Sequence, residues 1–588
     1  MTNSPDGDRH PSRRAIVAGG LGMLGSAALH PATVAAADAS PARTPPKHYN
    51  ILFILVDQEH FFDRWPIPLP AREWIKQNGI AFANHQAASC VCSSARSVIY
   101  TGQHIQHTGI FDNVGFAWQP NMPTTVKTIG NRMTTLGYHA AYQGKWHLSA
   151  KLDLARDAID APLRQYRHTI ASYGFKDFFG VGDIEDRVLG GYNFDETTTA
   201  FATRWLRTQA EDLRAKGQPW YLAVNFVNPH DVMYVDSDLP GNVVQGRNNT
   251  LPIAAPPSYG VYKDTWDDVP LPPTRSQPLD APGRPAGQTI YQATQDMLVG
   301  AWPNEDRRWK VLQNYYYNCI RDCDIQVGRI LDSLRASGMD RDTIIVFTAD
   351  HGELGGHHQM RGKGTNAYRQ QNHLPLMIVH PAYRGGQTCQ AVTSQIDLVP
   401  TLLALAGGDA AAMRTASAGL PGRSFAGLLA DPAAAAVDTL RPAALYNFNM
   451  LTYQDARWLR AMASTLITGN LPQPGIVHAL EKHPPNFRHR CGIRSVFDGR
   501  YRFSRYFSPI EFNTPTGFEA LIAQNDLELY DLQDDPDEMA NLAASPKAHS
   551  ALIMAMNAKL NARLAEEVGD DNGLFLPIRN GKWYFPRG

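Results

Sequence analysis

Three runs of consecutive apolar residues end abruptly in polar ones. "YNILFILVDQ" closes on Asp57-Gln58, "WYLAVNFVNPHD" on Asn228-Pro229-His230, and "TIIVFTADHGE" on Asp350-His351-Gly352. Unbroken apolar runs of this length predict strands buried on both faces of a parallel sheet, because a strand with one wet face would alternate. Between and around them lie stretches with helical spacing: "LPAREWIKQNG", "TVKTIGNRMTTLG", "TTTAFATRWLRTQAEDLRAKG" and "QNYYYNCIRDCDIQVGRILDSLRASG". Gly at the end of such a stretch, just before the next apolar run, marks a helix stop. The pattern is that of an α/β fold. In open sheets of this class ligands collect beyond the carboxyl ends of the strands, so the three polar clusters are expected to share one site.

From Asp231 to about Thr289 the periodicity gives way to Pro, Gly, Asn and Asp, which predicts a long loop, either a functional lid or a disordered insert. "SQIDLVPTLLALAGG" reads as another helix, and the Ala/Gly/Pro-rich text that follows it places the end of the main domain, residues 49–440, near 440. Beyond it, "CGIRSVFDGRYRFSRYF" predicts a hairpin turning at Asp498-Gly499, and "LELYDLQDDPDEMANLA" a strand, an acidic turn and a helix. Residues 441–588 are therefore expected to form a smaller α+β domain with an antiparallel sheet.

At 588 residues the chain exceeds what one core sustains, and its 55 basic against 56 acidic side chains give no bulk charge to attract nucleic acid. Any anion must be met locally. Arg13-Arg14, a short Gly/Ala-rich apolar run and small residues up to Ala37 predict a twin-arginine export signal over 1–37, a linker over 38–48, and a periplasmic or secreted protein. The run is too short to span about 30 Å of hydrocarbon, so no stable membrane insertion is expected once the signal is cleaved. Six cysteines in such a length are no disulfide scaffold. Cys319 and Cys323 lie one helical turn apart, as on a packed helix face or in a surface disulfide, and Cys90-x-Cys92 lacks the spacing of a zinc clip.

Cys92 is followed by Arg96 four residues on and by Thr101-Gly102 nine and ten residues on; Cys90 stands out of that register. Further along come Gly144-Lys145-Trp146-His147, then His230, Asp350-His351-Gly352, Lys363, "DLVPTLLALAG" and "LYDLQDDPDEMANLA". With Asp57, these elements resemble, in order and spacing, the sulfatase family of the alkaline-phosphatase-like superfamily. The resemblance implies a large, mostly parallel mixed sheet between helices. It implies that Cys92 is oxidised to formylglycine by a formylglycine-generating enzyme before export, and that one hydroxyl of the aldehyde hydrate attacks sulfur while the other releases sulfate. Arg96 would hold the hydrate, Lys145 and Lys363 the sulfate oxygens, His147 the second hydroxyl's proton, and His230 the leaving oxygen. One divalent metal would be held by Asp57, Gln58, modified Cys92, Asp350 and His351. Calcium suits hard oxygen donors, but His351 and Gln58 stand where many members have Asn and Asp, which keeps manganese and magnesium open. The implied substrate is a small-molecule or saccharide sulfate ester. Two alternatives stay open: a phosphonate or phosphate monoester or diester hydrolase on the same scaffold, and a non-hydrolytic anion binder with an unmodified thiol. Trp146 is expected to be packing, and His357 and His358 to be loop residues.

Overall fold

The computed structural model of the chain describes residues 48–149, 161–179, 187–467 and 473–585. The expected export signal lies outside the described residues. Residues 46–588 make up one compact unit.

The main sheet is built from β1 (Asn50–Asp57), β2 (Ile80–Gln86), β3 (His139–Gly144), β4 (Asp177–Phe179), β5 (Trp220–Pro229), β6 (Thr343–Ala349), β7 (Leu376–Val379) and β8 (Gln387–Ser394). Their order across the sheet is β4-β3-β5-β1-β6-β7-β2-β8. β1 pairs in parallel with β5 and β6, β3 with β4 and β5, and β2 with β8, while β7 alone among these pairings runs antiparallel to its neighbours β6 and β2. The unbroken apolar run of β1 has a simple cause. Leu52, Ile54 and Val56 enter the core on one face, and Ile51, Phe53 and Leu55 enter it on the other. Helices Pro70–Asn78, Gly190–Arg207 and Asp306–Ala336 supply Ile75, Trp205 and Val327 to the first face; Ile129–Thr135 and Leu398–Ala406 supply Met133 and Leu402 to the second.

Two expectations change. The stretch around Thr197–Lys216 is two helices, Gly190–Arg207 and Gln209–Ala215, broken at Thr208, whose hydroxyl donates to the Arg204 carbonyl at 2.9 Å and gives the backbone an alternative to the helical ladder. The Pro-rich segment after Asp231 is an ordered cover with short 3₁₀ turns. Tyr262 donates its hydroxyl to Asp322 at 2.8 Å and Trp266 its indole N–H to Asn318 at 3.0 Å, both on the long helix Asp306–Ala336, so aromatic anchors replace the periodicity the segment lacks. Cys319 and Cys323 are buried free thiols on that helix, which leaves the packed-face reading and removes the disulfide.

The antiparallel sheet consists of β9 (Ala444–Phe448), β10 (Gly492–Phe497), β11 (Tyr501–Phe507) and β12 (Asp526–Asp531), in the order β12-β11-β10-β9. Its hairpin turns where Asp498-Gly499 predicted it. Helix Ser550–Glu567 covers one face, packing Ile553, Met556 and Leu560 on Val496, Phe503 and Leu529. Among the described residues no helix is long and apolar enough to cross a membrane.

His85 on β2 is fully buried, its Nδ1 3.0 Å from the Thr393 hydroxyl, and burial with the nearby Arg441 pulls its pKa down to about 3. The unfolded chain therefore takes up a proton near pH 6.5 that the folded chain refuses until about pH 3, so stability falls as pH falls through that window. Relative to a His85→Asn variant, the wild type should lose about 1.4 kcal/mol per pH unit between those limits. Urea titrations of both proteins at pH 7 and pH 5 check this; a gap independent of pH would contradict it.

Candidate active site

The carboxyl ends of β3, β5, β1 and β6 emerge side by side, and each delivers charged or polar side chains. Asp57 closes β1 and Asp350-His351 follows β6. The signature stretch becomes helix Cys92–Thr101, with Cys92 as its first residue, where the backbone dipole favours an anion, and Arg96 one turn on along the same face. Thr101-Gly102 ends it: Gly102 is left-handed, with φ +67°, and an added Cβ would stand 2.7 Å from Leu420.

Arg96, fully buried, ties the strand ends together. Its Nε donates to Asp350 Oδ2 at 3.0 Å, one terminal nitrogen to Asp57 Oδ2 at 3.1 Å and the other to the Lys145 carbonyl at 2.8 Å. Lys145 follows Gly144, whose φ of +87° and closeness to the Asn225 carbonyl oxygen, 2.0 Å from an added Cβ, admit only glycine. This turn at the end of β3 sets Lys145 Nζ 2.9 Å from Asp57 Oδ2. Lys363 enters from the loop after β6, donates to Gln58 Oε1 and lies 3.9 Å from Asp57 Oδ1. His147, left-handed at φ +58°, accepts the Ser93 hydroxyl on its carbonyl at 2.7 Å, which fastens it beside the start of the Cys92 helix. His230 follows β5 and packs its ring against Tyr234.

Cys92 Sγ lies 3.2 Å from His351 Nε2 and 3.6 Å from Asp57 Oδ1. Asp57, Cys92, Asp350 and His351 are all buried, and their ligand atoms fall within 4.8 Å of one another. Burial and the charge of Asp57 push the Cys92 thiol up, but Lys145, Lys363 and His351 outweigh them and hold it well below the ordinary thiol value. Burial also acts upward on Asp57, where Lys145, Lys363 and Arg96 prevail and keep the carboxyl well below the usual range. Asp350 moves the other way, raised by burial and by its neighbour Asp57. Burial together with Lys363 and Lys145 pulls His230 down to about 4. Two carboxylates forced together, a thiol poised to ionise and an imidazole make a donor set that a divalent cation fits.

Gln58 follows Asp57 and borders that set. Its side-chain oxygen accepts from Lys363 and its amide N–H₂ donates to Glu353, while its backbone N–H donates to Asp350 Oδ1 at 3.1 Å. An amide oxygen carries two lone pairs, so the Lys363 contact leaves one for the ligand role that the resemblance implies. Trp146 is buried among Tyr100, Tyr142, Tyr173 and Phe175, as packing. His357 and His358 sit in a 3₁₀ turn and meet Thr274 and Gln277, away from the cluster. Sequence reasoning missed Asn225, whose Oδ1 accepts the Tyr100 hydroxyl at 2.6 Å and an Arg96 N–H at 3.3 Å. A lone amide inside the apolar run of β5 was its signal. It also missed Glu353, whose carboxylate accepts the Gln58 amide N–H₂ and the backbone N–H groups of Gly355 and Gly362.

The architecture is shared with solved structures of the alkaline-phosphatase-like class. A 2-O GAG sulfatase superposes with a TM-score of 0.61 at 19% identity, covering 90% of this chain and 94% of that one. The phosphonate monoester hydrolase SpPMH of Silicibacter pomeroyi does so with a TM-score of 0.58 at 18% identity, covering 89% and 96%. A family model described as Sulfatase matches residues 49–408, and the chain belongs to the sulfatase family. Among curated relatives, arylsulfatase K of Gallus gallus is 24% identical over 380 residues, 62% of this chain and 65% of that protein. The chain thus spans less than two thirds of that relative's length.

Proposed function

We propose that the protein is an exported sulfuric ester hydrolase that cleaves a sulfate monoester to an alcohol and inorganic sulfate. The observation that carries this reading is the placement of Cys92. Its sulfur sits at a helix start, among Lys145, Lys363 and His351, which lower its pKa, and beside Asp57. A sulfate monoester resists attack until its oxygens are neutralised, so a nucleophile ringed by cations is what the reaction requires. Oxidised to formylglycine by a modifying enzyme before export, Cys92 would supply a hydrate with two hydroxyls on one carbon, one to attack sulfur and one to free the sulfate.

Asp57, Cys92, Asp350 and His351 would hold the divalent cation, which would polarise a sulfate oxygen and stabilise the nucleophile's charge. Replacing the Cys92 sulfur with an oxygen makes the set harder and favours calcium or manganese over softer ions. Lys145 and Lys363 neutralise the remaining sulfate oxygens. Arg96, locked by Asp57, Asp350, Asn225 and the Lys145 carbonyl, fixes the distance between Asp57 and Asp350. His147 takes the proton of the second hydroxyl, and His230 presents its ring N–H to the leaving oxygen. Arg13-Arg14 and the small residues before Asp38 support export to the periplasm or beyond.

A second reading, hydrolysis of phosphonate or phosphate esters, is supported by the cations Lys145 and Lys363, which grip phosphoryl oxygens as well as sulfate oxygens. Parallel assays of purified enzyme on an aryl sulfate and an aryl phosphonate monoester separate the two. The sulfate should be turned over with the higher kcat/KM; a preference for the phosphonate would transfer the proposal to the second reading.

A further inference from the structure

We infer that Tyr291 is a positioning residue for Lys363, a wedge that sets the backbone on both sides of the lysine so that its ammonium meets the bound anion; this rests on the ester-hydrolase reading of the site. Lys363 lies in the run Arg361-Gly362-Lys363-Gly364, and one side chain stands against the residues on either side of it. The Tyr291 hydroxyl donates to the Arg361 carbonyl at 2.5 Å. A Cβ added to Gly362 would stand 3.1 Å from the same hydroxyl, and one added to Gly364 2.1 Å from the ring. Gly362 also needs glycine for its φ of +73°. Gly364 has no positive φ, so its backbone would admit alanine, and what excludes one is the Tyr291 ring.

Core filling alone does not account for this. Tyr291 is fully buried on helix Ala286–Val299, where a phenylalanine would fill the same space with no hydroxyl to satisfy. The tyrosine is itself braced. One helical turn on, the Gln295 amide nitrogen donates to its oxygen at 3.1 Å and to the Tyr453 hydroxyl at 3.0 Å, and the Tyr453 ring packs edge-on against its ring at 4.9 Å. The helix also seats the residues after the lysine. A Cβ added to Gly287, one turn before Tyr291, would stand 3.0 Å from Thr365 Cγ2, and Gln288 accepts the Tyr368 hydroxyl at 3.2 Å. A lysine carried on a loop has backbone as well as side-chain freedom to lose. Fixing both of its flanks to one rigid helix removes the first and leaves only the side chain to be ordered.

The test is a pair of double-mutant cycles with metal content and thermal unfolding measured alongside. Tyr291→Phe keeps the ring and removes the hydroxyl, and Gly364→Ala lifts one flank of the lysine off the ring. On an aryl sulfate they should lower kcat/KM by roughly 10-fold and roughly 100-fold, the larger being the scale for displacing a reacting group by about an ångström. In a Lys363→Ala background each should add little further loss, because no ammonium is left to misplace. Both single variants should keep stoichiometric metal. A packing role would lower the unfolding temperature and leave kcat/KM alone, and a general loosening of the site would multiply its loss with that of Lys363→Ala; either result would overturn the inference. Should Gly364→Ala fail to fold, the Tyr291→Phe cycle alone decides. Turnover by the wild type tests the functional reading separately. If it hydrolyses no sulfate ester, the same cycles are read as affinity for inorganic sulfate, with non-additivity again expected and additivity overturning the inference.

Discussion

Cys92→Ala is expected to remove hydrolysis almost completely, by ~10⁴ or more, the scale of a nucleophile deletion in covalent enzymes. The reason is geometric. Only Cys92 begins the helix that carries Arg96, and only its sulfur lies within reach of both His351 Nε2 and Asp57 Oδ1. Cys90, two residues earlier, is also fully buried, but burial raises its thiol well above the ordinary value. A small, neutral thiol is replaced by a hydroxyl at modest cost, so Cys90→Ser should keep most turnover. Cys92→Ser should fail unless the host modifies serine: a single hydroxyl could accept the sulfuryl group but has no second oxygen with which to expel it. Steady multiple turnover by unmodified Cys92→Ser protein would refute the two-hydroxyl mechanism and favour a phosphatase-like route.

Asp350→Ala should lose the bound metal together with nearly all activity. Asp350 supplies one of the four clustered ligand atoms and, through Oδ1, accepts the backbone N–H groups of both Gln58 and His351, so its removal loosens neighbouring ligands too. The fold should survive. Arg96 keeps Asp57 and the Lys145 carbonyl, and only its Nε is left unsatisfied, a cost of about 1–3 kcal/mol. Elemental analysis, activity and thermal unfolding of the same sample check all three statements; stoichiometric metal with full activity in the variant would rule out the assignment.

The sheet was legible because burial on both faces leaves an unmistakable trace, and β1, β5 and β6 each end in the polar residues that meet at the site. Cys92, Arg96, Lys145 and Lys363 were legible because their spacing matches a family pattern, and the structure gives the spacing a cause: one helical turn between Cys92 and Arg96, and a glycine-only turn before Lys145. The hydrogen-bond partners of Gln58 were not legible: Glu353 and Lys363 lie some three hundred residues away and are brought to it by the pairing of β1 with β6. The anchoring of the cover after Asp231 escaped for a related reason, since aromatic anchors such as Tyr262 and Trp266 on irregular backbone leave no period to read.

The central claim, that Cys92 is the precursor of the nucleophile in a sulfate ester hydrolase, is tested most directly by the mass of the proteolytic peptide that contains it, taken from fully active enzyme. The account predicts a peptide that has lost its thiol sulfur and gained an aldehyde at residue 92, with Cys90 in the same peptide still a thiol. Fully active enzyme whose Cys92 is found entirely as an unmodified thiol would contradict it.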